Sequence, residues 1–423
     1  MSLVITGGHF IEPASGVSAP RDILVEDGKV AAIGEGLRGS ERLDASGCVV
    51  CPGLVDIHVH FREPGFEAKE TVATGSQAAA RGGFTSVVTM PNTNPAIDHA
   101  GMVEFVARQA REGAPIRVWP SACATRERAG RDLTEMSELK RAGAVAVTDD
   151  GSDIESSWVL RKVLEYAAMC GLPYLAHCED ASLMEGGAIN EGYTSTRLGL
   201  PGLPKAMEEI RIDRNIRLGV LAGAHVHIQH VSSAEGVAIC RRAKAAGLNV
   251  TCETAPHYWS LTDEAVETAG SNAKMNPPLR EAADMEAVKE GLRDGTIDCI
   301  ATDHAPHTVT EKDVEVQLAP FGILGLETCL ALTITNLVEP GVISLERAVD
   351  LLTLQPARVL GLPVGRLEEG GPADITVFDA GAEWMVDPSA FASKSRNTPF
   401  AGQTLRGLTR ATVCGGQVVY RAE

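Results

Sequence analysis

Aromatic side chains are scarce in this chain, making up 4% of its 423 residues. So thin a supply argues against a surface that stacks nucleobases. Positive charge is also in deficit: 38 Lys and Arg face 56 Asp and Glu, a formal net charge of −18. Such a chain is a poor general binder of nucleic acid or of anionic membranes. An anionic substrate must then be captured by individual Arg and His residues. No run of about 20 apolar residues exists, so no membrane span is expected. The start, Met1-Ser2-Leu3-Val4-Ile5-Thr6, lacks the basic residues and the long apolar stretch of a cleavable signal. Low-complexity tracts and solenoid-type repeats are missing. The ten cysteines are scattered. Cys48 and Cys51 have C-x-x-C spacing, but no second pair exists to complete a zinc knuckle, and they read as small apolar residues of a strand. The pattern suits a reducing cytoplasm.

What is present begins with His58-Val59-His60, directly after the apolar run from Val49 to Ile57. Side chains alternate faces along a strand, so residues two apart point the same way. Two imidazoles from one strand end can grip one metal ion. Arg62 follows on the same parity if the strand runs on. A metal-binding pair with a cation beside it suggests a hydrolytic site for an anionic substrate.

The chain changes rhythm twice. Residues 1–51 read as short strands with tight turns, among them Asp22–Val25 and Val30–Ile33 around Glu26-Asp27-Gly28-Lys29. Residues 363–423 look alike, with strands at Asp374–Phe378, Thr409–Cys414 and Gln417–Tyr420. Neither end could bury much surface alone, so one small β-domain built from both termini is the economical solution. Between them, residues 52–362 alternate short apolar runs with helical patterns such as Glu70–Arg81 and Val159–Met169. The strands are Thr85–Met90, Ile116–Pro120, Ala144–Thr148, Pro173–His177, His225–His230, Asn249–Glu253 and Ile297–Asp303. With the His58 strand they number eight, which predicts an α/β chain with a parallel (β/α)8 barrel of the TIM type. The runner-up, an open doubly wound sheet, is weakened in its dinucleotide-binding version because no G-x-G-x-x-G follows an early strand.

Parallel barrels carry their active sites at the C-terminal ends of the strands. Those ends hold His58 and His60, Asn92, Asp149-Asp150, His177, His230 and Asp303. Two imidazoles and a carboxylate could surround one ion, and two more His with a shared carboxylate another. His230 is preferred over His225 and His227, which lie on the opposite face and read as packed or hydrogen-bonded. His304 opposes Asp303 in parity and is set aside; His9, His99 and His257 are given no metal role. Asp263-Glu264 reads as a solvated helix start. Alternation does not decide between Asp149 and Asp150.

Here the residues meet a resemblance. The stretch from Pro52 to Gly65 resembles the opening signature of the dihydroorotases, within the amidohydrolase superfamily. So do Met90-Pro91-Asn92-Thr93, Thr148-Asp149-Asp150-Gly151, His177-Cys178-Glu179-Asp180, His230-Val231-Ser232, Asn276-Pro277-Pro278-Leu279-Arg280, Ala301-Thr302-Asp303-His304-Ala305-Pro306-His307 and Lys394-Ser395-Arg396-Asn397-Thr398-Pro399. The likeness runs in order along nearly the whole chain. It implies a barrel with two Zn2+ ions and a small β-sandwich formed by both termini. His58 and His60 would hold one zinc and His177 and His230 the other, with Asp150 bridging. Asp303 would bind the first zinc and carry the proton. Arg62, Asn92 and His307 would hold a substrate carboxylate, with His60 also facing the substrate; Asn276 and the Phe321-Gly322 backbone would contact the pyrimidine ring. Hydantoinases and many relatives bridge their metals through a carboxylated lysine on the fourth strand, and Ala144–Asp150 contains none. In this the chain is similar to bacterial type I dihydroorotases. The implied reaction interconverts dihydroorotate and carbamoyl aspartate. A homodimer is the default assembly, and a complex with aspartate carbamoyltransferase stays open. The stretch Thr308–Ala319 is expected to be a mobile lid.

Overall fold

The computed structural model describes residues 2–422. Its centre is parallel. Strands Leu54–Val59, Phe84–Thr89 and Arg117–Pro120 form a three-stranded sheet. Ala122–Cys123, Val147–Thr148, Tyr174–Ala176, Val226–Ile228, Val250–Thr254 and Cys299–Ile300 follow one another across a second, six-stranded sheet. The two are linked at one edge by Ser121 N–H donating to Thr89 O at 3.0 Å. At the other edge, isolated parallel bridges run from Val59 to His304 and from His304 to Ile323. Several strands are shorter than the sequence predicts. Ile297–Asp303 is laddered only at Cys299–Ile300, because Thr302 leaves the ladder to bond Asp56 through its N–H (3.2 Å) and hydroxyl (2.5 Å).

Helices alternate with these strands. Helix Val72–Gly82 starts where Thr71 and Thr74 cap each other reciprocally, and it stops at Gly83, whose φ of 95° favours glycine. Helix Ser157–Cys170 is capped by the Ser156 hydroxyl and closed by Gly171. Among the described residues no helix is long and apolar enough to cross a membrane.

The termini come together. Ser2–Thr6, Asp22–Glu26, Lys29–Gly34 and Glu41–Asp44 form a four-stranded sheet. The turn at Asp27-Gly28 takes positive φ at both positions (49° and 78°), the geometry that suits a two-residue hairpin. A six-stranded sheet unites His9–Glu12, Val17–Pro20 and Val49–Pro52 with Ile375–Met385, Thr404–Cys414 and Gln417–Arg421. Ile5, Phe10, Ile23, Val50, Ile375 and Val413, drawn from both sheets, share one buried apolar cluster. Gly53 joins this region to the parallel strands, and a Cβ there would lie 2.0 Å from Thr85 Oγ1. All ten cysteines are free. Asp263 departs from expectation: it is buried and accepts from Asn190 Nδ2 at 3.2 Å, a partner far away in sequence.

Candidate active site

The strand ends bring His58, His60, Asp150, His177, His230 and Asp303 into one buried cluster. His58 Nε2 lies 3.3 Å from Asp150 Oδ1 and 3.5 Å from Asp303 Oδ1. His60 Nε2 lies 3.0 Å from Asp303 Oδ1 and 3.5 Å from Asp150 Oδ2. His177 Nδ1 is 2.9 Å from His230 Nε2 and 3.6 Å from Asp150 Oδ1. Ligand-type atoms of His58, His60 and Asp303 lie within 4.8 Å of one another, as do those of His58, Asp150 and His230. Asp150 thus touches both halves of the cluster. Asp149 turns away, accepting from Ala124 N (2.9 Å), Thr125 N (3.0 Å) and the Thr125 hydroxyl.

Carboxylates and an amide fix the outer ring nitrogens. His58 Nδ1 donates to Glu253 Oε1 at 2.7 Å, His60 Nδ1 to Asn92 Oδ1 at 2.9 Å, and His177 Nε2 to Glu179 Oε2 at 3.1 Å. Their inner nitrogens are thereby left as lone pairs facing the centre. His58 Nε2 and Asp150 Oδ1 are buried and have no hydrogen-bond partner, as is His230 Nδ1. Orphaned buried polar atoms are costly, and divalent cations would satisfy a set of four imidazoles and two carboxylates. The cluster therefore fits a metal centre. Burial favours a protonated Asp303; where a proton rather than a metal ion occupies the inner nitrogens, the charge of His58 and the bond from His60 outweigh burial and hold the carboxyl well below the usual range. Burial and the neighbouring His177 and His58 push His230 down to about 3.

The backbone is held in unusual conformations here. Arg62, His230 and Asp303 are non-glycine residues with φ of 63°, 35° and 48°. Such geometry costs about 1–3 kcal/mol each and collects at functional sites. Arg62 also shows where parity fails. The strand stops at Val59, so alternation does not carry the guanidinium into place; a left-handed turn does. Its Nε donates to Pro306 O at 3.2 Å.

A cavity of about 340 Å3 opens over the cluster. Arg62, Asn92, Asn276, Phe321 and Gly322 line it, together with His60, His177, His230, Asp150 and Asp303. Asn276 donates to Glu179, and its buried Oδ1 has no partner. His307 stands beside Arg62, whose guanidinium lies 3.4 Å from its Nε2, but it does not reach the cavity. It lies behind Gly322, its Nε2 donates to Phe321 O at 2.8 Å, and it is absent from the cavity wall. Burial and the adjacent Arg62 and Lys69 cations keep its imidazole neutral, near 2.

His225 and His227 both bond Thr251 Oγ1 at 2.8 Å. His304 accepts from Gly325 N at 3.2 Å, outside the cluster. The supports Glu253 and Glu179 escape sequence reasoning. Glu179 stands two residues past His177, which is a faint signal, whereas Glu253 reads only as the end of an apolar strand.

Fold and site together define an amidohydrolase. The model of the amidohydrolase family matches residues 206–420, and that of dihydro-orotase-like proteins matches residues 47–236. A dihydroorotase of Pelotomaculum thermopropionicum is 52% identical over 99% of this chain and 98% of its own. One of Citrifermentans bemidjiense is 50% identical over the full length of both. Among solved structures, the L-hydantoinase (dihydropyrimidinase) of Arthrobacter aurescens superposes with a TM-score of 0.90 at 29% identity, covering 99% of this chain and 96% of that one. The chain belongs to the dihydroorotases, amidohydrolases that act on a cyclic amide.

Proposed function

We propose that this chain hydrolyses the ring amide of L-dihydroorotate to N-carbamoyl-L-aspartate and closes the ring in the reverse direction during pyrimidine synthesis. The observation that carries the reading is the buried cage of four His and two Asp, with partnerless atoms aimed inward and Arg62 on the wall of the same cavity. His58, His60 and Asp303 would hold one Zn2+, and His177 and His230 a second, with Asp150 between them. When bound, such ions polarise the amide carbonyl and make water nucleophilic near neutral pH. Asp303, kept ionised, takes the proton released by the attacking water and passes it to the leaving ring nitrogen. Arg62 offers a planar fork to the substrate carboxylate, and Asn92 stands beside it on the cavity wall. His307 would join them once its bond to Phe321 O is released. Asn276 Oδ1 accepts from a ring N–H, and the Phe321-Gly322 backbone borders the ring.

The same reading takes the two parallel sheets as arcs of one barrel over residues 52–362. It takes the terminal sheets, over 1–51 and 363–423, as a sandwich sharing the Ile5, Ile23 and Ile375 cluster. An aspartate standing where relatives carry a bridging lysine supports the reading of a type I dihydroorotase. A cytoplasmic homodimer, free to associate with aspartate carbamoyltransferase, completes it. The test is dihydroorotate hydrolysis before and after chelation, with zinc added back. Activity should vanish and return; faster turnover of hydantoin or allantoin would overturn the substrate assignment.

A further inference from the structure

We propose that Glu253 and His227 are positioning residues that lock His58 in the one tautomer able to bind metal. The inference rests on the reading of His58 as a ligand. Both Glu253 oxygens are engaged: Oε1 lies 2.7 Å from His58 Nδ1 and Oε2 lies 3.1 Å from His227 Nε2. An ionised carboxylate only accepts, so each facing ring nitrogen must carry a proton. His58 Nε2 is then a lone pair, and it is this atom that points at Asp150 and Asp303 without a hydrogen-bond partner.

The polarity continues away from the site. His227, protonated at Nε2, presents a bare Nδ1, which accepts from the Thr251 hydroxyl at 2.8 Å. That hydroxyl accepts in turn from His225 Nε2 at 2.8 Å. Each bond in the series sets the direction of the next; the Gln229 side-chain amide also lies 3.2 Å from His58 Nδ1, and a protonated Nδ1 requires that amide to present its oxygen, which otherwise has no partner. His227 and Glu253 are fully buried, whereas His225 is only partly so. The series thus runs through the interior from the cluster to the opposite ends of the strands. Val250–Thr254 places Thr251 and Glu253 on one face, and Val226–Ile228 lies beside it in register, His227 opposite Thr251.

A competing use of these atoms exists. His227, Glu253 and Cys299 offer ligand-type atoms within 4.8 Å of one another. A cation there would compete for the oxygen that holds the His227 proton, and the geometry favours the hydrogen bond.

The experiment compares zinc affinity, by chelator competition, for the wild-type enzyme and Glu253→Gln, with the visible spectrum of the cobalt-loaded forms as a second readout. An amide can accept from only one of the two ring N–H groups and turns its NH2 on the other. We expect zinc affinity to fall about 10- to 100-fold, the cobalt bands to move, and kcat to fall with KM unchanged. Should Glu253→Gln fail to fold, His227→Phe leaves Glu253 on His58 and should still weaken zinc severalfold. Zinc affinity within twofold of wild type in the folded variants would overturn the proposal. So would loss of a third equivalent of zinc from a wild-type protein that holds three, since the group would then be a metal site itself. A wild-type protein that binds no zinc would instead sink the metal-centre reading.

Discussion

The terminal sheets and the parallel strands meet along one continuous segment, Val49–Pro52 followed by Leu54–Val59, yet they follow opposite rules. Before Gly53, Val49–Pro52 pairs with Ile375–Phe378 and buries ordinary apolar side chains. After it, Leu54–Val59 runs into His58 and His60. In the terminal region polar groups that are buried find partners: Thr376 donates to Gly83 O at 2.6 Å, Thr412 to Ala80 O at 2.7 Å, and Arg117 grips Asp374 at 2.8 and 3.2 Å. At the strand ends His58 Nε2, Asp150 Oδ1 and His230 Nδ1 stay unpaired, and three site residues adopt positive φ. One region is optimised for stability. The other concentrates unsatisfied chemistry and strain, which persist because the surrounding frame over-determines them.

That contrast breaks first if function and stability turn out not to separate. In the mechanism proposed above, Asp303→Ala removes both a ligand and the proton carrier. Turnover should fall at least about 10²–10⁴-fold, the range for a lost acid–base group, while thermal unfolding stays cooperative. In the opposite region, Ile375→Ala opens a cavity in the terminal cluster, where Ile375 is fully buried. It should cost about 2–5 kcal/mol of unfolding free energy, measured by denaturant titration, with kcat per folded molecule unchanged. A large drop in kcat would mean that the sheets reach the site energetically.

Arg62→Ala sharpens the division inside the site. In the proposed function Arg62 holds the substrate in ground and transition state alike, so KM should rise and kcat should hold. A charge-assisted bond of about 1.5–3 kcal/mol corresponds to about a 10- to 150-fold rise in KM. Equal losses of kcat from Arg62→Ala and Asp303→Ala would contradict these separate roles.

Much of this was legible in the sequence wherever period-two alternation and strand order carry the information. His58 and His60 follow from parity, and His177, His230 and Asp303 from standing at strand ends. Parity loses its hold where a strand is short. Val147–Thr148 is only two residues long, so alternation does not orient Asp149 and Asp150, and their hydrogen-bond partners do. Arg62 lies beyond the strand, in a left-handed turn that no hydrophobic pattern marks. Glu253 is the least legible: its role depends on His58, 195 residues away in the chain, and on His227, 26 away. Distant pairings of that kind leave no periodic trace.

The smallest effect concerns Thr308–Ala319, where Val309, Val314 and Leu318 are exposed apolar side chains. It opens with a capping box between Thr308 and Glu311, and Glu311 also bonds Lys69 at 2.8 Å. Lys312 pins its first turn by donating to Ser271 O, Lys274 O and Pro320 O. Burial works against ionised Glu311, but Lys69 and the Thr308 N–H and hydroxyl outweigh it and hold the carboxyl down to about 2. A depressed carboxyl stabilises the fold above its unfolded value of about 4.5 and loses that contribution as pH falls toward 2. Glu311→Gln should therefore mimic acid: hydrogen exchange across 308–319 quickens, while global stability, with Glu311 about a third exposed, changes by less than about 1 kcal/mol. Substrate should slow the exchange in the wild-type enzyme, since a lid closes on what it covers. Equal rates with and without substrate would make the segment a plain surface loop.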